Sequence, residues 1–246
     1  MAIRNIIQTL RSSFWLSWEL ETNWTSPLLY ILYSVIRPLF SMLIVIFIYK
    51  VLSYRKPNEE LFQFLYVGNS LGLFLLGGLQ GLSTVLHDDR EHYATLKYIY
   101  MAPMPFFLYL AGRSGTRVFV SAFYMAVALI IGNIFLGIPI LYGGGGTGLF
   151  LLVFMLGIGL VYAVGLLMAA ISMLTALHHS FFMNEAVTGV IYFLCGMIFP
   201  LSMLPGILRK IAVVLPFSHW VELARRALLP PLSIDNGFTG ISTGYL

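Results

Sequence analysis

The densest run of reactive side chains in this sequence is His87-Asp88-Asp89-Arg90-Glu91-His92-Tyr93. Imidazoles and carboxylates are metal ligands, so His87, Asp88, Asp89 and His92 could form a metal-dependent enzyme site at a surface, acting on lipid headgroups. The spacing suits that chemistry poorly. His87 and His92 stand about 140° apart around a helix, and no second cluster completes a ligand set. The same residues also read as a short surface helix, with Asp88 and Asp89 at its N-terminus, where the helix dipole favours negative charge. Tyr93, Leu96, Ile99 and Tyr100 then form an apolar stripe able to dock on something. His178 and His179, just before Glu185, read as a second short polar loop on the same side. The chain has no Gly-x-x-x-x-Gly-Lys-Ser/Thr loop to cradle ATP and no His-Glu-x-x-His. Cys195 is the single cysteine, inside an apolar run, so no intrachain disulfide forms.

The elements that must position these residues are hydrophobic. Of 246 residues 59% are apolar and 10% charged, with a mean hydropathy of +0.88. Soluble domains run near 45–50% apolar and about 25% charged, and a soluble fold of this size could not hide so much apolar surface. The composition is that of an integral membrane protein. The formal charge of +4 rests on 14 Lys+Arg against 10 Asp+Glu, too few charges to argue for nucleic acid.

Gaps between charges locate the spans, since a spanning helix needs about 20 apolar residues. Such gaps predict spans at 61–86, 118–141, 149–177 and 186–204, with a loop at Pro139 and Gly143–Gly146. The first span is placed at 37–54, because an Arg at the bilayer centre costs about 2.5–3.5 kcal/mol. That register lets Arg37 snorkel to the interface. Before it, Ile3, Ile6, Ile7, Leu10, Phe14 and Trp18 follow helical spacing, predicting an amphipathic helix within 1–26. It lies in the membrane surface or packs on a soluble partner. The pairs Gly68/Gly72 and Gly77/Gly81, each four apart, permit close helix approach, either within one bundle or between two chains.

The stretch 205–231 is of another kind. Its two apolar segments, Ile207–Leu215 and Ser218–Leu229, are bounded by prolines and carry Arg209, Lys210, Glu222, Arg225 and Arg226. At about 13 and 18 Å they are too short for a 30 Å core, which predicts interfacial or re-entrant helices covered by protein. Residues 232–246 are polar and span nothing. With a cytoplasmic N-terminus, basic residues divide six inside against seven outside, Arg37 apart, so the positive-inside rule does not orient the chain. The fold class expected is thus an all-α polytopic membrane helix bundle: one membrane domain over 1–246, with an interfacial helix, five spans and a re-entrant pair.

Two segments resemble the membrane subunits of type-2 ABC exporters. Asp89-Arg90-Glu91-His92-Tyr93-Ala94-Thr95-Leu96-Lys97-Tyr98-Ile99, through Pro103, is similar to the family's acidic-basic run and coupling helix. Thr95, Leu96, Ile99 and Pro103 match; Ala94 stands where the family has Gly, and Lys97 where it has Glu. The second segment is Gly196-Met197-Ile198-Phe199-Pro200-Leu201-Ser202-Met203-Leu204-Pro205, continued by Leu215-Pro216, Val221-Glu222 and Arg225. It resembles the family's Phe-Pro-Leu, Leu-Pro and Pro…Glu…Arg signature.

The resemblance implies a permease in the cell membrane with its N-terminus in the cytoplasm and 205–231 outside. A separate ATPase subunit would supply ATP and Mg and dock on the coupling helix at 87–101 through Asp89, Arg90, Glu91, Thr95, Leu96 and Ile99. The chain itself would carry no catalytic residue and bind no cofactor. A second permease copy, identical or related, would complete the path within the membrane lipids. Cargo would be amphipathic, of drug, lipid-like or glycan class, and position alone suggests Phe40, Phe74 and Tyr192 along its path. The family usually has six spans, and the sixth would begin near Asp235; either the chain is truncated there or its C-terminus lies outside. A non-catalytic scaffold or immunity-type protein is the remaining reading.

Overall fold

A computed structural model describes residues 3–22, 27–52, 58–102, 104–140, 146–174 and 177–230, and every described element is helical. The order is α1 Ile3–Thr22, α2 Pro27–Leu52, α3 Glu59–His87, a π-turn at Asp88–His92, α4 Leu96–Met101 and α5 Phe106–Leu136. There follow α6 Gly146–Leu174, α7 Leu177–Leu194, a 3-10 turn at Leu201–Met203, α8 Gly206–Val214 and α9 Pro216–Leu228. The region expected to hold a sixth span, 232–246, falls outside the described residues. Among the described residues, four helical stretches are long and apolar enough to cross a membrane: Leu32–Val51, Glu59–Arg90, Phe106–Leu136 and Gly146–Leu174. The chain is an all-α polytopic membrane bundle.

Helix α3 is its axis. Of its most apolar membrane-length window 67% is buried, against 33% or less in the other three. Asn58 caps it, accepting from the Leu61 amide at 3.2 Å, and Glu59 and Glu60 sit in the first turn where the dipole favours them. Small residues let the neighbours approach. A Cβ on Gly68 would overlap the Met197 carbonyl and Arg225, one on Gly72 the Tyr192 ring, one on Gly77 Ser121, and one on Gly81 Arg117. All four glycines that left dimerisation open are therefore spent on packing inside one chain.

Several boundaries differ from expectation, each for a physical reason. The helix that carries the first span is longer than 37–54 suggests: α2 begins at Pro27 and runs through Pro38, its membrane-length apolar stretch is Leu32–Val51, and exposed Arg37 lies over the Tyr124 ring at 5.6 Å, a cation–π contact. Helix α5 begins twelve residues before 118, taking in Arg113 and Arg117. Its 31 residues reach about 46 Å, well beyond a 30 Å core, so both arginines can stand at one end. Helix α7 starts at Leu177 rather than 186 and ends at Leu194 rather than 204. It therefore absorbs His178, His179 and Glu185, and only Phe182–Leu194 remains as an apolar stretch.

Helix α1 packs on α5 partly through the expected apolar face, where Phe14 and Trp18 meet the Phe119 ring edge-on at 6.4 and 6.3 Å, and partly through serines that hydropathy does not mark. Ser13 and Ser17 are buried while Ile7, Trp15 and Leu16 are exposed. Gly112 admits the α1 backbone, and the Thr116 hydroxyl donates to the Phe14 carbonyl at 3.2 Å. The start of α5, the end of α3 and α1 thus share one end of the bundle. At the other end, the Trp220 indole of α9 donates to the Val153 carbonyl of α6 at 2.7 Å, and α9 reaches Phe64 and Gly68 of α3.

These close approaches set a testable difference between two glycines. Gly68→Ala drives a methyl into a backbone carbonyl and should cost about 1–3 kcal/mol. Gly159→Ala in α6 meets nothing within 4 Å and should be neutral or gain up to about 1 kcal/mol of helix propensity. Thermal unfolding of the two variants in detergent checks the contrast.

Candidate functional site

The connection between α3 and α5 is clamped by a buried ion pair. Asp89 is 1% exposed and Arg113 3%. Arg113 donates from Nε and Nη2 to Asp89 Oδ1 at 3.3 and 3.2 Å, and Tyr109 Oη donates to Asp89 Oδ2 at 2.8 Å. The remaining arm of the guanidinium, Nη1, donates to Ser17 Oγ of α1 at 2.8 Å. The Asp89 carbonyl accepts from the Thr95 amide at 2.9 Å and its hydroxyl at 3.3 Å, folding the chain back after the π-turn. One side chain from each of α1 and the connection, and two from α5, thus meet at a single desolvated point.

This geometry reassigns the residues expected to face an ATPase. Asp89 is internal, and it follows α3 directly rather than opening a surface helix, since Asp88 is the C-cap residue of α3. Leu96 and Ile99 also face inward: Leu96 is partly buried against the cluster formed by Val85, Leu86, Leu110 and Ala169, and Ile99 is 8% exposed. Thr95 is half-buried and spent on Asp89. Arg90 is exposed and donates to the Met173 carbonyl at 3.3 Å; the Glu91 side chain lies outside the described set. The outward surface is made instead by Lys97, Tyr98, Tyr100 and Met101, of which Tyr100 stacks on Phe106 at 4.8 Å. The sequence signal for this was the other half of the i, i+3, i+4 pattern, which an apolar stripe alone does not reveal.

Ala94 has φ +49°, the one non-glycine residue with positive φ among those described. This is the position where the resembling family has glycine, and the left-handed region explains that preference.

A second buried guanidinium organises the C-terminal signature. Arg225 is 3% exposed, pairs with Glu222 at 3.4 Å, donates to the Gly196 carbonyl at 2.9 Å and lies 3.6 Å over the Phe64 ring. Glu222 also accepts from Arg226 at 2.8 Å. Gly196 ends α7 with φ +71°, a left-handed turn that suits glycine. Pro200 and Pro205 precede the 3-10 turn and α8, and Pro216 opens α9, where a missing N–H costs nothing. Phe199 packs edge-on against Phe193 at 5.9 Å.

The three aromatic residues suggested for a cargo path are not brought together. Phe74 is fully buried between Phe154 and Trp220, and Phe40 is 63% exposed on α2. Tyr192 is half-buried and donates to Asn69 Oδ1 at 2.6 Å, while Asn69 Nδ2 donates to Ser41 Oγ at 2.9 Å. Gly68-Asn69-Ser70-Leu71-Gly72 has the spacing of a hydrolase nucleophile elbow, but it lies within α3, and the buried Ser70 hydroxyl donates to the Tyr66 carbonyl at 2.9 Å. Among the described residues no three His, Cys, Asp or Glu side chains are grouped to hold a metal ion. Both oxygens of Asp89 are engaged by Tyr109 and Arg113.

Beside the clamp lies an open cavity of about 820 Å³ between α1, the start of α2, the π-turn and α5. Arg117 stands in it, paired with Glu21 and 3.9 Å from Asp88. Burial raises the pKa of Glu21 above the ordinary carboxylate value, and Arg117 and then Arg113 partly oppose the shift.

A bundle of apolar helices around a buried polar clamp, with a proline-bounded helix pair at its far end, is the architecture of a multi-pass membrane protein. The model of the ABC-2 type transporter family matches residues 12–229, and the chain belongs to that family: it is a transmembrane permease of an ABC transporter, a transport component rather than a catalytic one. No curated protein matches it.

The Ala94 geometry makes a direct prediction. An L-residue in the left-handed region costs about 1–2 kcal/mol, from which glycine's greater unfolded-state entropy takes back about 0.5–1 kcal/mol. Ala94→Gly should therefore leave stability equal or raise it by up to about 1.5 kcal/mol, while Ala94→Val should lower it; thermal melts of the two variants test the sign.

Proposed function

We propose that this chain is the permease of an ATP-driven exporter. It works with a separate ATPase subunit, which carries ATP and Mg, and with a second permease copy, identical or related, in the lipid of the cell membrane. The observation that carries this reading is the buried Asp89–Arg113–Ser17 link. Breaking a buried pair costs about 3–5 kcal/mol, so a push on the 88–101 connection cannot be absorbed locally. It moves α1 and the start of α5 with it. The bundle then shifts between inward- and outward-open forms whose populations ATP binding to the partner biases.

In this reading α1 and the 88–101 connection face the cytoplasm, because both belong to the end of the bundle where a soluble ATPase would dock. Helices α8 and α9 then lie at the extracytoplasmic end as a re-entrant pair. The ATPase rests on Lys97, Tyr98, Tyr100 and Met101, with Arg90 at the margin and Glu91 next to it in sequence. Cargo is amphipathic, of drug, lipid-like or glycan class. Phe40, on the exposed face of α2, and Tyr192, with its Asn69–Ser41 partners, are the path residues that this geometry leaves available, and Phe74 supports them from the core.

Two variants separate docking from transmission. Lys97→Glu/Met101→Asp changes only outward side chains and should abolish co-purification of an ATPase subunit and reduce ATP-driven transport at least tenfold. Retained partner and normal transport would sink the docking surface. Ser17→Ala removes a hydrogen bond to a buried cation, worth about 1.5–3 kcal/mol. It should keep the partner and its ATP hydrolysis but lower cargo moved per ATP.

A further inference from the structure

A carboxylate on the outer face of α7 is answered only by neutral groups. Glu185 is exposed and lies inside the apolar stretch Phe182–Leu194. It accepts from the Gln80 amide of α3 at 2.9 Å, and the same amide reaches the Thr188 hydroxyl at 3.5 Å. Among the described residues Glu185 has no ion-pair partner, and one donor fills one of about four acceptor positions on a carboxylate. Arg117, which packs on Gly81 next to Gln80 in sequence, is committed to Glu21 and Asp88. Gln80 stands seven residues before His87, roughly 10 Å along α3 from that end. The carboxylate is therefore level with the span itself, where lipid tails supply no counter-charge.

The surface around Glu185 continues as an open strip. Leu73, Leu76, Gln80 and Thr84 recur at helical spacing on α3 and are half-buried, whereas Phe74, Leu75, Leu79 and Leu82 on its other faces are fully buried. On α7, Tyr192 follows Glu185 by two turns on the same face, about 10 Å away, and its hydroxyl donates to Asn69 of α3 at 2.6 Å. The strip thus has a carboxylate near one end, an apolar floor of Leu76 and Leu73, and an aromatic ring at the other end.

We propose that Glu185 is the charge-selecting residue of the path and that the cargo is an amphipathic organic cation. Its positive group meets the Glu185 carboxylate, and its apolar body lies over Leu76 and Leu73 toward Tyr192. Gln80 holds the carboxylate against α3 through one oxygen and leaves the other for the ligand. An anion would be repelled at this point, and a neutral molecule would leave the carboxylate without a counter-charge. The inference rests on the transport reading only for the ligand's standing as cargo, and it narrows that reading to one charge class.

Binding is measured on the full chain alone in phosphatidylcholine nanodiscs, with radiolabelled tetraphenylphosphonium as the cation and anilinonaphthalene sulfonate as an amphipathic anion. Saturable phosphonium binding is expected. Glu185→Gln keeps the shape of an exposed side chain and should weaken it at least tenfold, the loss of one close charge. Glu185→Asp should fall between, and sulfonate binding should not decline in either variant. Leu76→Lys, one turn from Gln80, supplies a built-in counter-charge and should also abolish phosphonium binding, which keeps the test decisive if Glu185→Gln does not fold. Absence of saturable phosphonium binding, or unchanged affinity in Glu185→Gln or Leu76→Lys, would overturn the proposal. Disulfide formation between two copies of Ala186→Cys that persists at saturating phosphonium would overturn it as well, because a second copy would then cover the carboxylate. No ATPase takes part in these measurements, so their failure is separate from that of the exporter reading; ATP-driven transport confined to neutral or anionic cargo would keep that reading and sink this one.

Discussion

A guanidinium buried at the end of a membrane bundle is the constraint on which one half of this protein depends. Removing a charge from water costs several kcal/mol, and Arg113 is tolerated only because each of its arms is answered. Asp89 takes two of them and Ser17 the third, while Tyr109 completes the carboxylate. These partners dictate the layout. The connection must fold back after α3 to bring Asp89 inward, α5 must begin early enough to carry Tyr109 and Arg113 on one face, and α1 must lie against it with serines rather than leucines at the contact. Pairing also ties the connection to α5, since both oxygens of its carboxylate are engaged there.

The opposite end repeats the solution with different parts. Arg225 is held by Glu222, the Gly196 carbonyl and the Phe64 ring, so that α9, the turn after α7 and the start of α3 become one unit. Between the two ends runs α3, whose glycines bring α5, α7, α9 and the Met197 backbone to contact distance. Lipid tails are as apolar as leucine, so close packing and polar contacts, not hydrophobic burial, hold membrane helices together. Those are the features this chain concentrates on one helix. The remaining surface is left apolar, as on α2 and α6, where Phe47 is 70% and Met155 63% exposed.

Much of this was legible along the chain, and the rest was hidden for a consistent reason. The apolar runs between charged residues located α3, α5 and α6, because a bilayer imposes the same length and polarity limits on any spanning segment. Pro205, Pro216 and the charges between them marked the two short helices. The runs misplaced the edges wherever a charge belonged inside a helix. Arg113, Arg117 and Glu185 read as loop residues, yet each lies within a helix because a partner or an interface satisfies it. Glu185 accepts from the Gln80 side chain at 2.9 Å, a contact 105 residues apart in sequence that no local pattern encodes.

The sequence by itself determined the membrane class, the helical architecture, the family and the two segments that carry its character, since composition, periodicity and short motifs are local properties. Tertiary structure alone decided which side chains in those segments face inward. Asp89, Leu96 and Ile99 became internal supports, Lys97 and Met101 the outward surface, and the glycine pairs an intrachain seam. Burial of a charged or polar group is settled by whether a distant partner arrives to satisfy it, and only the folded chain brings Arg113 to Asp89.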